Sequence, residues 1–271
     1  MTIVLESSPI RHRLSLRSGW EQYRKSAEST LEGRVIDLEI PGEGAVRLEF
    51  TEGALVWSVT GDYEGSGRGE YDLAERRPGI FFIDVADLLQ ERSLSVLLDD
   101  NTGSAMVVHH MLSSRWGSLN MTQVTSPARI VGSEAPLFEQ TSELIGRRAI
   151  VYYEDDHAIE HVYMNPGLIA YQLLSGVNGV GHGAGLRATT WKIGDELYFL
   201  TFVESRPESV CLLMDFTGGR NVGKLFVRDD YGLINMPAGA KIDTYGPTIE
   251  YPDAFVNDPG LGESDASVWT P

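Results

Sequence analysis

The chain carries the same half twice, and that duplication constrains its fold more than any other feature. Ser29-Thr30-Leu31-Glu32-Gly33-Arg34 returns as Ser142-Glu143-Leu144-Ile145-Gly146-Arg147. Gly53-Ala54-Leu55-Val56-Trp57 returns as Gly167-Leu168-Ile169-Ala170-Tyr171. Phe81-Phe82-Ile83-Asp84 is echoed by Thr201-Phe202-Val203-Glu204, and Leu97–Gly103 by Leu212–Gly218. The separation between copies drifts from 113 to 120 residues, as small loop insertions require. Two copies make a duplication, not a solenoid or propeller array.

Period-two alternation dominates both halves. Val46, Leu48 and Phe50 alternate with Arg47 and Glu49, the signature of a half-buried strand. Leu55–Val59, Ile80–Val85 and Leu94–Leu98 read as strands. So do Ala149–Glu154, Ile159–Met164, Leu168–Leu174, Leu197–Glu204, Val210–Met214 and Lys224–Val227 in the second half. Short strands at close spacing between Gly and Asp turns predict an all-β, antiparallel sandwich or barrel. Closure removes exposed edges, which favours the barrel; one barrel per copy and one shared barrel remain open. A capping box at Ser18-Gly19-Trp20-Glu21, followed by Tyr23, Ala27 and Leu31, predicts a short helix before the first repeat. A shorter one is expected around Phe138–Ile145. The expected organisation is an arm over 1–17, repeats over 18–125 and 126–248 joined somewhere in Ser113–Glu134, and an acidic tail over 249–271.

A formal charge of −17 argues against nucleic acid and against anionic lipid surfaces. The partners expected are a small-molecule ligand and, at most, a second copy of the chain. The single Cys211 excludes an internal disulfide. Met1–Ser8 lacks the pattern of a secretory signal, and no apolar run reaches the ~20 residues that span a bilayer, so a cytoplasmic protein is expected.

No established catalytic, metal or cofactor motif is present, and no cofactor or metal is expected. His109 and His110 are neighbours on a strand and point to opposite faces, so they do not chelate one ion together. His157 follows Asp155-Asp156 and reads as a turn residue. These histidines, with His161, are expected at the surface. Gly65–Gly69 and Gly179–Gly185 lack the flanking strand and helix of a phosphate cradle and read as hairpin loops. Asp100 and Asp215 read as turn residues, and Arg187, Arg220 and Lys224 as surface ion-pair formers.

The strongest constellation is acidic and aromatic. Alternation puts Tyr198, Leu200, Phe202 and Glu204 on one strand face, and Ile80, Phe82 and Asp84 on another. Were these faces internal, the acids would be desolvated and suited to proton transfer near neutral pH. Were they external, the acids would simply be hydrated. Trp57 and Tyr171 hold equivalent positions, as core residues or as stacking surfaces for a ligand.

Gly67-Arg68-Gly69-Glu70-Tyr71 followed by Pro78–Asp84 resembles the N-terminal domain of the MoaF family. Asp195–Glu204, then Asp215 and Arg220-Asn221-Val222-Gly223-Lys224, resembles its C-terminal domain. The resemblance implies a calycin, or lipocalin-like, barrel built from a duplicated unit. The second half is also distantly similar to phenolic acid decarboxylases: Leu144-Ile145-Gly146, Tyr153, Gly167-Leu168-Ile169 and Phe202-Val203-Glu204 follow their pattern. Val151 and Gln172 stand where that group has a tyrosine and an arginine, so the groups that orient a cinnamate carboxylate are missing. What the resemblance implies is a cofactor-free lyase, isomerase or cyclase with Glu204 and Tyr153 as catalytic pair. Trp57, Tyr171, Asp84, Phe202 and Phe82 would contact the ligand. The alternative is a non-catalytic carrier or sensor of a hydrophobic metabolite.

Overall fold

The computed structural model describes residues 22–24, 31–115, 118–176, 180–204, 207–229, 232–246 and 248. The arm over 1–17, the capping box at Ser18–Glu21 and the tail over 249–271 lie outside them. The first half forms β1 (Val35–Ile40), β2 (Gly44–Thr51), β3 (Ala54–Gly61), β4 (Gly65–Gly69), β5 (Tyr71–Arg77), β6 (Ile80–Asp87), β7 (Arg92–Asp99), β8 (Ser104–Arg115) and β9 (Ser118–Ile130). The second half forms β10 (Glu139–Gln140), β11 (Arg148–Glu154), β12 (His157–Asn165), β13 (Leu168–Ser175), β14 (Gly183–Gly194), β15 (Leu197–Val203), β16 (Glu208–Asp215), β17 (Arg220–Asp229) and β18 (Gly232–Thr244). Each half is an up-and-down antiparallel barrel, so the duplication gives two barrels and not one shared one. The first sheet runs β4-β3-β2-β1-β9-β8-β7-β6-β5. In the second, β11 to β18 close completely through a β14–β15 pairing, and β10 adds to the edge of β14. The strand that corresponds to β14 is broken in the first barrel at Glu70: β4 pairs with β3 and β5 with β6.

No helix occurs among the described residues, so the helix expected around Phe138–Ile145 is replaced by the short β10 and a turn. That turn has a clear purpose. Leu31 and Leu144, the matched leucines of the repeat, are both buried and plug the same end of their barrels. The turn is fixed identically in each: the Gly33 amide donates to the Phe50 carbonyl at 2.9 Å, and the Gly146 amide to the Tyr163 carbonyl at 2.8 Å. Both glycines have positive φ, 77° and 83°, where a side chain would be strained. The segment expected to join the halves is mostly the β8–β9 hairpin; the passage between barrels is 131–138.

Two further expectations are corrected by the hydrogen bonding. Gly65–Gly69 is strand β4, and Gly183 and Gly185 open β14; neither is simply a hairpin loop. A Cβ on Gly67 would lie 2.9 Å from the Trp57 indole, so glycine there lets the strand pass over the ring. The matched turns Pro78-Gly79 and Asp195-Glu196, which receive the Asp100 and Phe216 amides on their second carbonyls, align Phe81–Asp84 with Tyr198–Thr201. Asp84 therefore corresponds to Thr201 and Glu204 to Asp87, so the two acids are not copies of one another.

Alternation sorts the side chains into three cores. Ile36, Leu38, Phe50, Trp57, Ile83 and Val96 belong to the interior of the first barrel. Val151, Tyr153, Tyr163, Tyr198, Phe202 and Ile242 belong to that of the second. The opposite faces of β6–β8 and β15–β17 pack on each other: Phe82, Leu97 and Met106 meet Phe199, Cys211 and Leu213. The Phe82 and Phe199 ring centroids lie 6.4 Å apart across this junction. Arg77 reaches Asp215 at 2.7 Å from the other barrel. The Arg24 guanidinium donates to the Gly223 and Ala238 carbonyls and pairs with Asp72, tying the N-terminal segment to both barrels.

Candidate functional site

The interiors of the two barrels have diverged, and four inward positions that are apolar in the first carry polar groups in the second. The shared turn geometry and strand register match Ile36 with Ala149, Ile40 with Tyr153, Leu48 with His161, Phe50 with Tyr163, Tyr71 with Ala188 and Ala105 with Asn221. In the first barrel Phe50 packs edge-on against Tyr71, with centroids 5.3 Å apart. In the second barrel that ring is gone, Ala188 stands in its place, and the phenylalanine has become a tyrosine.

The inward polar groups form one connected cluster. His161 faces the barrel axis because its strand partners, Ala149 and Tyr171, do. Its ring centroid lies 6.3 Å from that of Tyr163. Tyr163 is electrostatically coupled to Tyr153, and Tyr153 bonds to the Asn221 side chain. Glu204 and Glu208 stand at the end opposite the Leu144 plug, where the Glu204 amide donates to the Glu208 carbonyl at 2.8 Å; both carboxylates act on Tyr153. Three buried atoms in this cluster have no hydrogen-bond partner: Tyr163 Oη, His161 Nδ1 and Asn221 Oδ1. Leaving such an atom unsatisfied costs about 1–3 kcal/mol.

Burial sets the protonation of the cluster. It raises the Tyr153 and Tyr163 phenols well above their ordinary value, and the nearby glutamates raise Tyr153 further. It pushes the His161 imidazole down to about 4. At neutral pH the interior therefore holds two protonated phenols and a neutral imidazole, all able to donate a hydrogen bond. Two cations at the plugged end are engaged: Arg147 grips Glu196 at 2.5 and 2.7 Å, and Lys192 pairs with Glu143.

The residues singled out in the sequence fall in three places. Tyr153, Tyr171, Phe202 and Glu204 come together in the second barrel. Trp57 packs in the first barrel's core. Asp84 and Phe82 share a face, as alternation requires, but it is the outer face, buried in the junction. Asp84 there forms an ion pair with Lys224 at 2.8 Å, with side chains 1% and 0% exposed, so Lys224 is no surface group. Asp84 also accepts from Ser95 at 2.7 Å and Asn235 at 2.5 Å. His110 bridges Ser95 at 3.1 Å and Ser209 at 2.7 Å. Cys211 lies against this network, its thiol pushed up to about 12 by burial.

The four histidines expected at the surface are all buried. His109 and His110 do point to opposite faces, His109 stacking on Tyr63 at 5.3 Å. His157 opens β12 and is not in a turn. Asp215 caps its turn through the Gly218 amide, whereas in the first repeat the capping acid is Asp99; Asp100 pairs with Arg34. Tyr163, Asn221 and Glu208 were not among the candidates, and His161 was expected at the surface. Comparing the copies position by position finds His161, Tyr163 and Asn221, as polar residues where the other half is apolar.

Residues 15–114 match the MoaF N-terminal domain and residues 138–248 the MoaF C-terminal domain. The chain is 30% identical over 191 residues to Protein MoaF of Klebsiella aerogenes, covering 64% of this chain and 72% of that protein. A crystal structure of a proposed beta-lactamase from Burkholderia vietnamiensis overlays 40% of this chain and 100% of its own, at 15% identity and a TM-score of 0.34. An overlay that loose carries no argument. With both domains in order on one chain, each falling on one barrel, the chain belongs to the MoaF family.

Proposed function

We propose that the second barrel takes up a small organic molecule, aromatic in character, and carries out cofactor-free acid–base chemistry on it. Glu204 moves the proton and Tyr153 supplies the oriented hydrogen bond. The observation that carries this reading is the gathering of a phenol, an imidazole and an amide with unpartnered buried atoms inside the second barrel, where the matched residues Phe50, Leu48 and Ala105 of the first are apolar. Such an exchange weakens a core, so a ligand that satisfies those atoms is its physical rationale. Phe202 and Tyr171 supply apolar surface beside the cluster. A protonated Tyr153 next to two carboxylates suits proton transfer in a lyase, isomerase or cyclase reaction.

A second reading, a carrier or sensor that leaves its ligand unchanged, is favoured by the placement of Tyr163. Its unpartnered hydroxyl belongs to a residue bonded to the plugging turn, at the end away from Glu204, and suits recognition more than reaction.

Native mass spectrometry of protein purified from its own host, followed by identification of any released molecule, tests both. The enzyme reading expects that molecule to be transformed by the unaltered protein and retained unchanged by Glu204→Gln. Equal turnover by the folded Glu204→Gln variant sinks it; recovery of an unaltered ligand from both proteins selects the carrier.

A further inference from the structure

The chemistry of the second barrel's lining selects among small molecules. Its unpartnered groups are a phenol hydroxyl, an imidazole nitrogen and an amide oxygen, on Tyr163, His161 and Asn221. All are uncharged hydrogen-bonding groups, and burial holds the phenol protonated and the imidazole neutral. An anion entering would pass Glu204 and Glu208 at one end. At the other it would find Arg147 and Lys192 already bound to Glu196 and Glu143. Among the described residues no inward-facing cation is left to receive a carboxylate. Burying an unpaired carboxylate costs far more than the hydrogen bonds return. An uncharged hydroxyl or carbonyl group, by contrast, satisfies the orphaned atoms directly. Beside Tyr163, Ala188 stands where the Tyr71 ring packs on Phe50 in the first barrel, so an incoming ring would meet a methyl group there and not a second ring.

Resting on the reading of the second barrel as a binding site, we infer that its ligand is an uncharged ring compound whose hydroxyl or carbonyl group bonds to Tyr163, His161 and Asn221, taken in preference to the corresponding carboxylate.

The test uses the full chain and three matched probes, 4-methylphenol, 4-methylbenzoate and toluene, with binding followed by calorimetry and by NMR of the barrel's aromatic resonances. Tyr163→Phe is the diagnostic variant, since phenylalanine already fills the matched position in the first barrel and folding is expected to survive. The inference expects 4-methylphenol to bind at least about tenfold more tightly than either other probe, and to lose about tenfold with Tyr163→Phe, because an unmet hydrogen bond discriminates strongly. Equal or tighter binding of 4-methylbenzoate overturns the inference and leaves the barrel as a binding site. Unchanged 4-methylphenol affinity in Tyr163→Phe does the same. If toluene binds as tightly as 4-methylphenol, the cluster does not select and the inference falls. If no probe perturbs the second barrel's resonances, the inference and the binding reading fall together.

Discussion

Replacing Lys224 by methionine isolates the energetics of the barrel junction. Methionine retains most of the lysine stem but removes the charge that faces Asp84. Both side chains are excluded from water, so no discount for solvent screening applies. Removing one partner of a buried pair costs about 3–5 kcal/mol, because the other charge is left uncompensated. Asp84 keeps its hydrogen bonds from Ser95 and Asn235, which places the expected loss near the lower end, about 3 kcal/mol. For a chain of this size that is a fall in Tm of roughly 10 °C. Urea titrations followed by tryptophan fluorescence and far-UV circular dichroism measure it, and separate transitions in the two signals would report barrels unfolding apart. Adding Asp84→Asn removes the stranded charge, so the double variant should recover about 2 kcal/mol of the loss. A single variant within about 1 kcal/mol of the parent, or a double variant as unstable as the single, refutes the reasoning.

Other expectations concern the histidines, the glycine strand and the plug. His109 and His161 are held near 4 against 6.5 in the unfolded chain. Their folded pKa is lowered, so their contribution is complete above 6.5 and is lost as pH falls from there toward 4. Between pH 7 and 5 each should remove about 2 kcal/mol, measured by urea titration at a series of pH values; His161→Leu should flatten that dependence by its own share. Gly67→Val forces a side chain into the Trp57 indole and should lower stability by about 1–3 kcal/mol, with a change in tryptophan emission. Leu144→Ala opens the plugged end of the second barrel and should cost about 2–5 kcal/mol in a thermal melt.

Much of this architecture was legible in the residues. The returning Leu31 and Leu144 turns mark the start of each barrel, and the alternation at Val46–Phe50 and Tyr198–Phe202 correctly divides each strand into two faces. What alternation does not say is which face looks inward. Along β6 both faces are apolar, since Phe81 and Ile83 line a barrel while Phe82 lines the junction, so Asp84 reads equally well as a pocket acid or an interface acid. The pairing of Asp84 with Glu204 failed for a related reason. Both copies are apolar and aromatic there, and such runs align in more than one register until hydrogen bonds choose. The histidines were misplaced because a His on a strand carries no signal of its own. Only its counterpart, a leucine at position 48 against His161, shows that the site lies inside.

The unbroken β14 has a kinetic consequence. Its first half, Gly183–Arg187, pairs with β13 and its second half, Ala188–Gly194, with β15, so the wall closes through two short ladders that meet end to end on one continuous strand. With Leu144 seated at one end, a molecule held as proposed would leave by the end that carries Glu204 and Glu208 or by parting one of those ladders. On the proposed binding reading, its dwell time would depend on those motions as much as on the contacts made within. In the first barrel the matching ladders, β3–β4 and β5–β6, meet at Glu70, which belongs to neither strand, and amide hydrogen exchange should begin there before it reaches the middle of β14.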